Sequence, residues 1–255
     1  MQTSTNRFKQ ALLQGRQQIG FFSTLGSPTL AELFAGCGFD WILIDTEHSP
    51  NDMPETIAQL QAMAAFDVSP IVRPAWSDMV MIKRLLDAGA QTLLIPCVQS
   101  AEEARSAISY TRYPPSGVRG VSGSSRAANY GLNTNYLKTC ESELCVIVQI
   151  ETLEGLQNLE AIAEVQGVDA VFIGPADLAA SMGHIGNGQH PEVQAAVEDA
   201  FRRLKAIGKP AGYLTLNEEE AQRRIGQGVE IVGVATDTSI ITRGAKALVQ
   251  RLAPR

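Results

Sequence analysis

Residues 40–45 read Asp-Trp-Ile-Leu-Ile-Asp, an apolar run closed at each end by an aspartate. The run has the length of one strand and lacks the polar alternation of a strand with a wet face. It predicts a strand buried on both sides, as in a parallel sheet covered by helices. Working outward, the same kind of run recurs as QIGFF from Gln18, PIVRP from Pro70, TLLIP from Thr92 and CVIVQIE from Cys145. AVFIGP from Ala170, AGYLTL from Ala211 and IVGVAT from Ile231 complete a set of eight. Between them PETIAQLQAMAAF, MVMIKRLLDAG, SAEEARSAISYTRY and PEVQAAVEDAFRRLKAIGK place apolar residues three or four apart, several closing on glycine. Pro54 and Pro191 stand where a first helical turn tolerates proline. Strand–helix alternation repeated eight times predicts an α/β protein, a closed (β/α)8 TIM barrel, as one domain over residues 1–255. A doubly wound open sheet is the rival, but no G-x-G-x-x-G follows a strand.

Composition narrows the function. The apolar share of 45% and charged share of 19% fit a globular chain with a large core. A net charge of −6 argues against nucleic acid as a partner. No run of about eighteen apolar residues offers a membrane span. The opening residues, MQTSTNRFKQALLQGRQQ, are polar with a helical period and do not read as a secretory signal. Cys37, Cys97, Cys140 and Cys145 lack zinc-like or thioredoxin-like spacing. Cys97 and Cys145 lie in apolar runs and read as small core residues. A reduced, cytoplasmic protein is expected.

Barrel enzymes build their sites at the carboxyl ends of the strands. The second run ends in Asp45, Thr46, Glu47 and His48, the third in Arg73, the fifth in Gln149-Ile150-Glu151 and the sixth in Gly174-Pro175-Ala176-Asp177. Glu151 and Asp177, on consecutive strand ends, need a proton, a cation or a metal if they meet. Oxygen donors suit a hard ion such as Mg²⁺ or Mn²⁺. A helix cap for Asp177 and a surface ion pair for Glu151 are the bland readings. His48 is the one histidine at a strand end, a general-base candidate if carboxylates orient it; Asp87 could serve if the fold brings it across. His184 and His190, in the glycine-rich SMGHIGNGQHPEV, could be merely solvated. Arg73 either pairs with Asp45 or Glu47 or binds a substrate anion.

None of the six lysines lies at a strand's carboxyl end, which argues against imine chemistry. No glycine-rich phosphate cradle follows the last two strands. The longest break in the rhythm, Tyr113 to Leu137, is rich in Pro, Gly and Ser and predicts a functional loop.

Taken together, AGCGFDWILIDTEHSPND, PIVRP, IKRLLDAGAQTLLIP, TRYPPSGVRGV, VIVQIET, GVDAVFIGPADLAASMGHIGN and HPEVQ resemble the HpcH/HpaI aldolases, metal-dependent pyruvate aldolases, over nearly the whole chain. The resemblance implies Glu151 and Asp177 as ligands to a divalent metal, Mg²⁺ or Mn²⁺ with Co²⁺ as a further candidate. It implies Gln149 and the backbone around Gly174, Pro175, Ala176 and Asp177 as the seat of pyruvate. Arg73 would stabilise the enolate, and His48 would be the base, supported by Asp87, with Asp45 close by. It also implies a homo-hexamer, a trimer of dimers, whose terminal helices are exchanged between barrels.

The expected reaction is reversible cleavage of a 4-hydroxy-2-oxo acid to pyruvate and an aldehyde. GVSGSSRAANYG, with Arg126, looks more like the 2-dehydro-3-deoxyglucarate branch, and a sugar-acid substrate is the leading expectation. RLLDAGAQTLLIP looks equally like the 4-hydroxy-2-oxoheptane-1,7-dioate branch, which forms succinate semialdehyde. Arg126 could hold the distal carboxylate of either. The rivals are a non-catalytic barrel binding 2-oxo acids and a citrate-lyase-like enzyme for coenzyme A esters. Two departures stand out: Thr46 replaces a commoner glycine, costly if that position needs positive φ, and the last strand ends VATDT.

Overall fold

The structure, a computed structural model, describes residues 5–253. Eight parallel strands close into a barrel in chain order: β1 (Gln18–Ser23), β2 (Trp41–Asp45), β3 (Ser69–Arg73), β4 (Thr92–Ile95), β5 (Cys145–Ile150), β6 (Ala170–Ile173), β7 (Ala211–Leu214) and β8 (Ile231–Thr236). β1 pairs with both β2 and β8, which closes the ring. All eight predicted strands are present, and the predicted helices run Met53–Met63, Met79–Asp87, Ala101–Thr111 and Pro191–Ala206. The long β4–β5 connection is not wholly irregular, since it holds a 3-10 turn at Arg126–Gly131 and a helix from Tyr136.

The period of two along each strand explains why the runs are apolar throughout. One set of residues, Phe22, Trp41, Leu43, Ile71, Leu94, Ile147 and Phe172 among them, packs inside the barrel. The alternate set, including Phe21, Ile42, Ile44, Val72, Val148 and Ile173, packs under the helices. Both faces are dry, so neither can be polar. Counting on by two from the inner set, Leu43 leads to Asp45, Ile71 to Arg73 and Ile147 to Gln149. The side chains that end the inner face at the carboxyl end are thus the polar ones.

The amino end is closed by the short helix Arg7–Leu13, which contributes Phe8 and Leu12 to the inner cluster. Asn6 caps that helix and donates to Thr92 Oγ1 at 3.0 Å. Lys9 and Lys209 donate to the carbonyls of Leu144 and Val168, at the amino ends of β5 and β6, far from the mouth where imine chemistry would need them. Cys145 is buried as expected. No helix among the described residues is long and apolar enough to cross a membrane.

Candidate active site

Asp45 and Arg73 end β2 and β3 side by side in register. The guanidinium grips Asp45 through two hydrogen bonds, Nε to Oδ1 and Nη2 to Oδ2, both 2.8 Å. Its remaining Nη1 stands 2.8 Å from Glu47 Oε2 and 3.5 Å from Gln149 Oε1. The ring of Phe22 lies 5.2 Å from the guanidinium carbon. Arg73 thus makes the predicted ion pair and still turns one edge toward the neighbouring strand ends.

Glu151 follows β5 and is 2% exposed. Its Oε1 accepts the Cys97 backbone N–H at 2.8 Å, and its Oε2 accepts from Gln149 Nε2. The surface ion pair considered for Glu151 is therefore excluded. Gly174 leaves the space it needs: a Cβ there would sit 2.6 Å from Glu151 Oε2 and 3.1 Å from Gln149 Nε2. Gly174 is also the N-cap of the helix Pro175–Ser181, which places exposed Asp177 in its first turn without a side-chain capping bond to the helix. An acid there gains from the helix dipole.

Cys97 corrects the sequence reading. It is partly buried rather than core, with φ of 54°, and its thiol is pushed up to about 12 by burial and by the negative charge of Glu151, Glu47 and Asp177. One ligand atom from each of Glu47, Cys97 and Glu151 lies within 4.8 Å of the others. Position was the overlooked signal: Cys97 stands two residues after β4, at the mouth.

The charges here do not balance. Asp45, Glu47 and Glu151 surround the single guanidinium of Arg73. Burial first, and Glu151 also, push the Glu47 carboxyl above its usual range against the pull of Arg73. Its Oε2 is buried and ion-paired with Arg73 Nη1 at 2.8 Å, but the angle is too poor for a hydrogen bond. A buried excess of carboxylate, oxygen-rich and with a thiol at its edge, fits a divalent cation. Glu151 and Glu47 would hold it; Asp177 is not in that close cluster, although its charge is felt at Cys97.

His48 sits on the loop after β2, its side chain 65% exposed and 3.8 Å from Glu47 Oε2. It is free to meet a substrate. Thr46 is not among the non-glycine residues with positive φ, and its hydroxyl donates to the Arg73 carbonyl at 2.6 Å, so the feared strain does not arise.

Two expected site residues lie elsewhere. Asp87 ends the helix Met79–Asp87, which runs from the mouth back toward the amino end of β4. There it accepts from Arg119 Nη2 at 2.7 Å, and Arg119 is fully buried against the rings of Tyr113 and Tyr136. Arg126 Nη1 donates to the Ala88 carbonyl at 2.7 Å, at the same end. Neither reaches the mouth of its own barrel, because a helix following a strand carries its last residues to the opposite face.

The profile of the HpcH/HpaI aldolase/citrate lyase family matches residues 18–243. A pyruvate aldolase of Rhizobium etli is 54% identical over 253 residues, covering 99% of this chain and 100% of that one. A 4-hydroxy-2-oxo-heptane-1,7-dioate aldolase of Klebsiella pneumoniae is 54% identical over 247 residues, covering 96% and 93%. A solved HpcH/HpaI aldolase/citrate lyase family protein from Burkholderia cenocepacia superposes with a TM-score of 0.95 at 38% identity, covering 98% and 100%. The chain belongs to the HpcH/HpaI aldolase/citrate lyase family and is an enzyme of its aldolase branch.

Proposed function

We propose that this member of the family is a divalent-metal-dependent aldolase that cleaves 4-hydroxy-2-oxoheptane-1,7-dioate, reversibly, to pyruvate and succinate semialdehyde. The observation that carries the reading is the grouping of Arg73, Gln149 and buried Glu151 at neighbouring strand ends, with Gly174 making room for Glu151 and Gln149. A bound divalent cation would supply Lewis acidity toward the keto and carboxylate oxygens of the 2-oxo acid. Gln149 and the backbone from Gly174 to Asp177 orient the pyruvate portion. Exposed His48 takes the proton of the C4 hydroxyl. As the C3–C4 bond breaks, its electrons move into the pyruvate enolate, and the Nη1 edge of Arg73, shared with Glu47, faces the negative charge that develops. Protonation at C3 then completes pyruvate.

The sugar-acid expectation gives way here. It leaned on Arg126 and its loop, and within its own barrel Arg126 donates to the Ala88 carbonyl, at the end away from the mouth. The Klebsiella relative's substrate and its 54% identity favour the heptanedioate. The hexamer remains part of the proposal. The helix Asp237–Leu252 exposes Ile241, Leu248, Val249 and Leu252, an apolar set suited to a neighbouring barrel. Assembly would also be the route by which Asp87 of one chain supports His48 of another.

The test follows pyruvate release from the heptanedioate and from 2-dehydro-3-deoxyglucarate, before and after chelation and with Mg²⁺, Mn²⁺ or Co²⁺ restored. Metal-dependent turnover with the larger kcat/KM on the heptanedioate is expected. Undiminished activity after exhaustive metal removal would sink the metal requirement, and a preference for the sugar acid would sink the substrate assignment.

A further inference from the structure

Outside the strand ends, the segment joining the helices Pro175–Ser181 and Pro191–Ala206 gathers His184, His190 and Glu192. The two imidazoles stack with centroids 3.5 Å apart and an interplanar angle of 16°. His184 Nε2 is 2.9 Å from Glu192 Oε2. His190 Nδ1 accepts the Glu192 backbone N–H at 3.3 Å. One ligand atom from each residue lies within 4.8 Å of the others. Two donors bonded at about 2.1 Å to one tetrahedral ion stand roughly 3.4 Å apart, so the His184–Glu192 pair at 2.9 Å needs to open by only about 0.5 Å. The hydrogen bond from His184 holds the Glu192 carboxyl below its usual range, as an anion.

We propose that His184, His190 and Glu192 form a second cation site, selective for Zn²⁺ or a similar borderline ion. Two imidazoles and one carboxylate are the donor set of Zn²⁺, whereas Mg²⁺ prefers oxygen alone. Stacked rings point their in-plane lone pairs along parallel lines, so binding turns one ring out of the stack. The segment allows this, since Gly183 and Gly186 hold positive φ and a methyl group added at either would meet no heavy atom within 4 Å. The ion would brace more than itself. Gly188 packs against Pro175, where a Cβ would stand 3.6 Å from the carbonyl oxygen, and Pro175 opens the helix that holds Asp177. The site would thus stiffen the backing of one wall of the mouth.

The experiment measures Zn²⁺ binding by competition with a chromophoric chelator, in a Glu47→Ala, Glu151→Ala, Asp177→Ala background that removes the carboxylates placed at the mouth. A single Zn²⁺ per chain is expected to remain. Adding His184→Ala and His190→Ala should weaken it more than about 100-fold, beyond the loss seen for outer-shell partners. Equal affinity with and without the two histidines overturns the proposal. Should the background variant fail to fold, crystals of the unaltered chain soaked in Zn²⁺ decide it by anomalous scattering. A peak between the three side chains supports the site, and its absence overturns it. Neither outcome depends on whether the mouth carries aldolase chemistry.

Discussion

Replacing Gly174 with alanine tests the candidate site with a single methyl group. The backbone does not object, because φ is −88°, a value any residue adopts. The objection is spatial. The new Cβ would lie 2.6 Å from Glu151 Oε2, about 0.8 Å inside an ordinary 3.4 Å contact, and 2.9 Å from Glu151 Cβ. The carboxylate oxygen can swing aside, but Cβ is one bond from the β5 backbone, and Cys97 N–H tethers the other oxygen at 2.8 Å. Either β5 and β6 part by a few tenths of an ångström or Glu151 turns out of its cradle. Overpacking of this kind costs about 1–3 kcal/mol. Alanine is also a poorer N-cap than glycine, while its stiffer unfolded chain returns about 0.4–1 kcal/mol. A net loss of about 1–2 kcal/mol is expected from thermal denaturation in EDTA. Displacing the carboxylate should weaken Mn²⁺ by about 10–100-fold, the range for lost support around a ligand, and lower the cleavage rate in parallel. Gly244→Ala, in the exposed carboxyl-terminal helix with no atom within 4 Å, is the control and should bind Mn²⁺ as the parent does. If Gly174→Ala binds Mn²⁺ within twofold of the parent and cleaves at the parental rate, Glu151 is not the ligand that Gly174 accommodates.

Arg73→Met leaves Asp45 buried without its partner and should cost about 3–5 kcal/mol in urea denaturation, with Arg73→Met, Asp45→Leu recovering part of it. Equal stability of the single and double variants would show that the pair is not coupled. Inactive His48→Ala and Asp87→Asn chains, unfolded and refolded together, should recover some pyruvate release if Asp87 acts across a subunit boundary, and activity no greater than the separately refolded parents would refute it. Glu160 is held below its usual carboxyl range first by the hydrogen bond from Arg203. A depressed folded value stabilises above the unfolded one and fades as pH falls through it, so Glu160→Gln should lose stability at pH 7 but little at pH 3. Because Glu160 is 40% exposed, screening holds that loss to about 1 kcal/mol or less by chemical denaturation. A loss independent of pH would assign it to packing instead.

Most of this protein's architecture follows from patterns that are local in the chain. A strand buried on both faces must be apolar at every position, so runs such as DWILID and CVIVQI announce a parallel sheet without any knowledge of partners. The period of two then carries Leu43 to Asp45, Ile71 to Arg73 and Ile147 to Gln149, so the inward polar residues at the mouth were legible by counting. The motifs that mark the family are local as well, and they account for the correct reading of reaction class.

Other features depend on distances that no spacing encodes. Cys97 looked like core because its neighbours are apolar, yet a left-handed turn after β4 sets its N–H on Glu151. Asp87 and Arg126 looked like mouth residues because their motifs did, yet the return of each helix delivers them to the far end, beside Arg119 and the Ala88 carbonyl. The same holds for His184, His190 and Glu192, whose meeting depends on the turn between two helices. Sequence alone determined the barrel and the kind of chemistry, because burial and strand period act between near neighbours. Tertiary structure alone decided which charges share a partner, because that depends on where separate elements end in space.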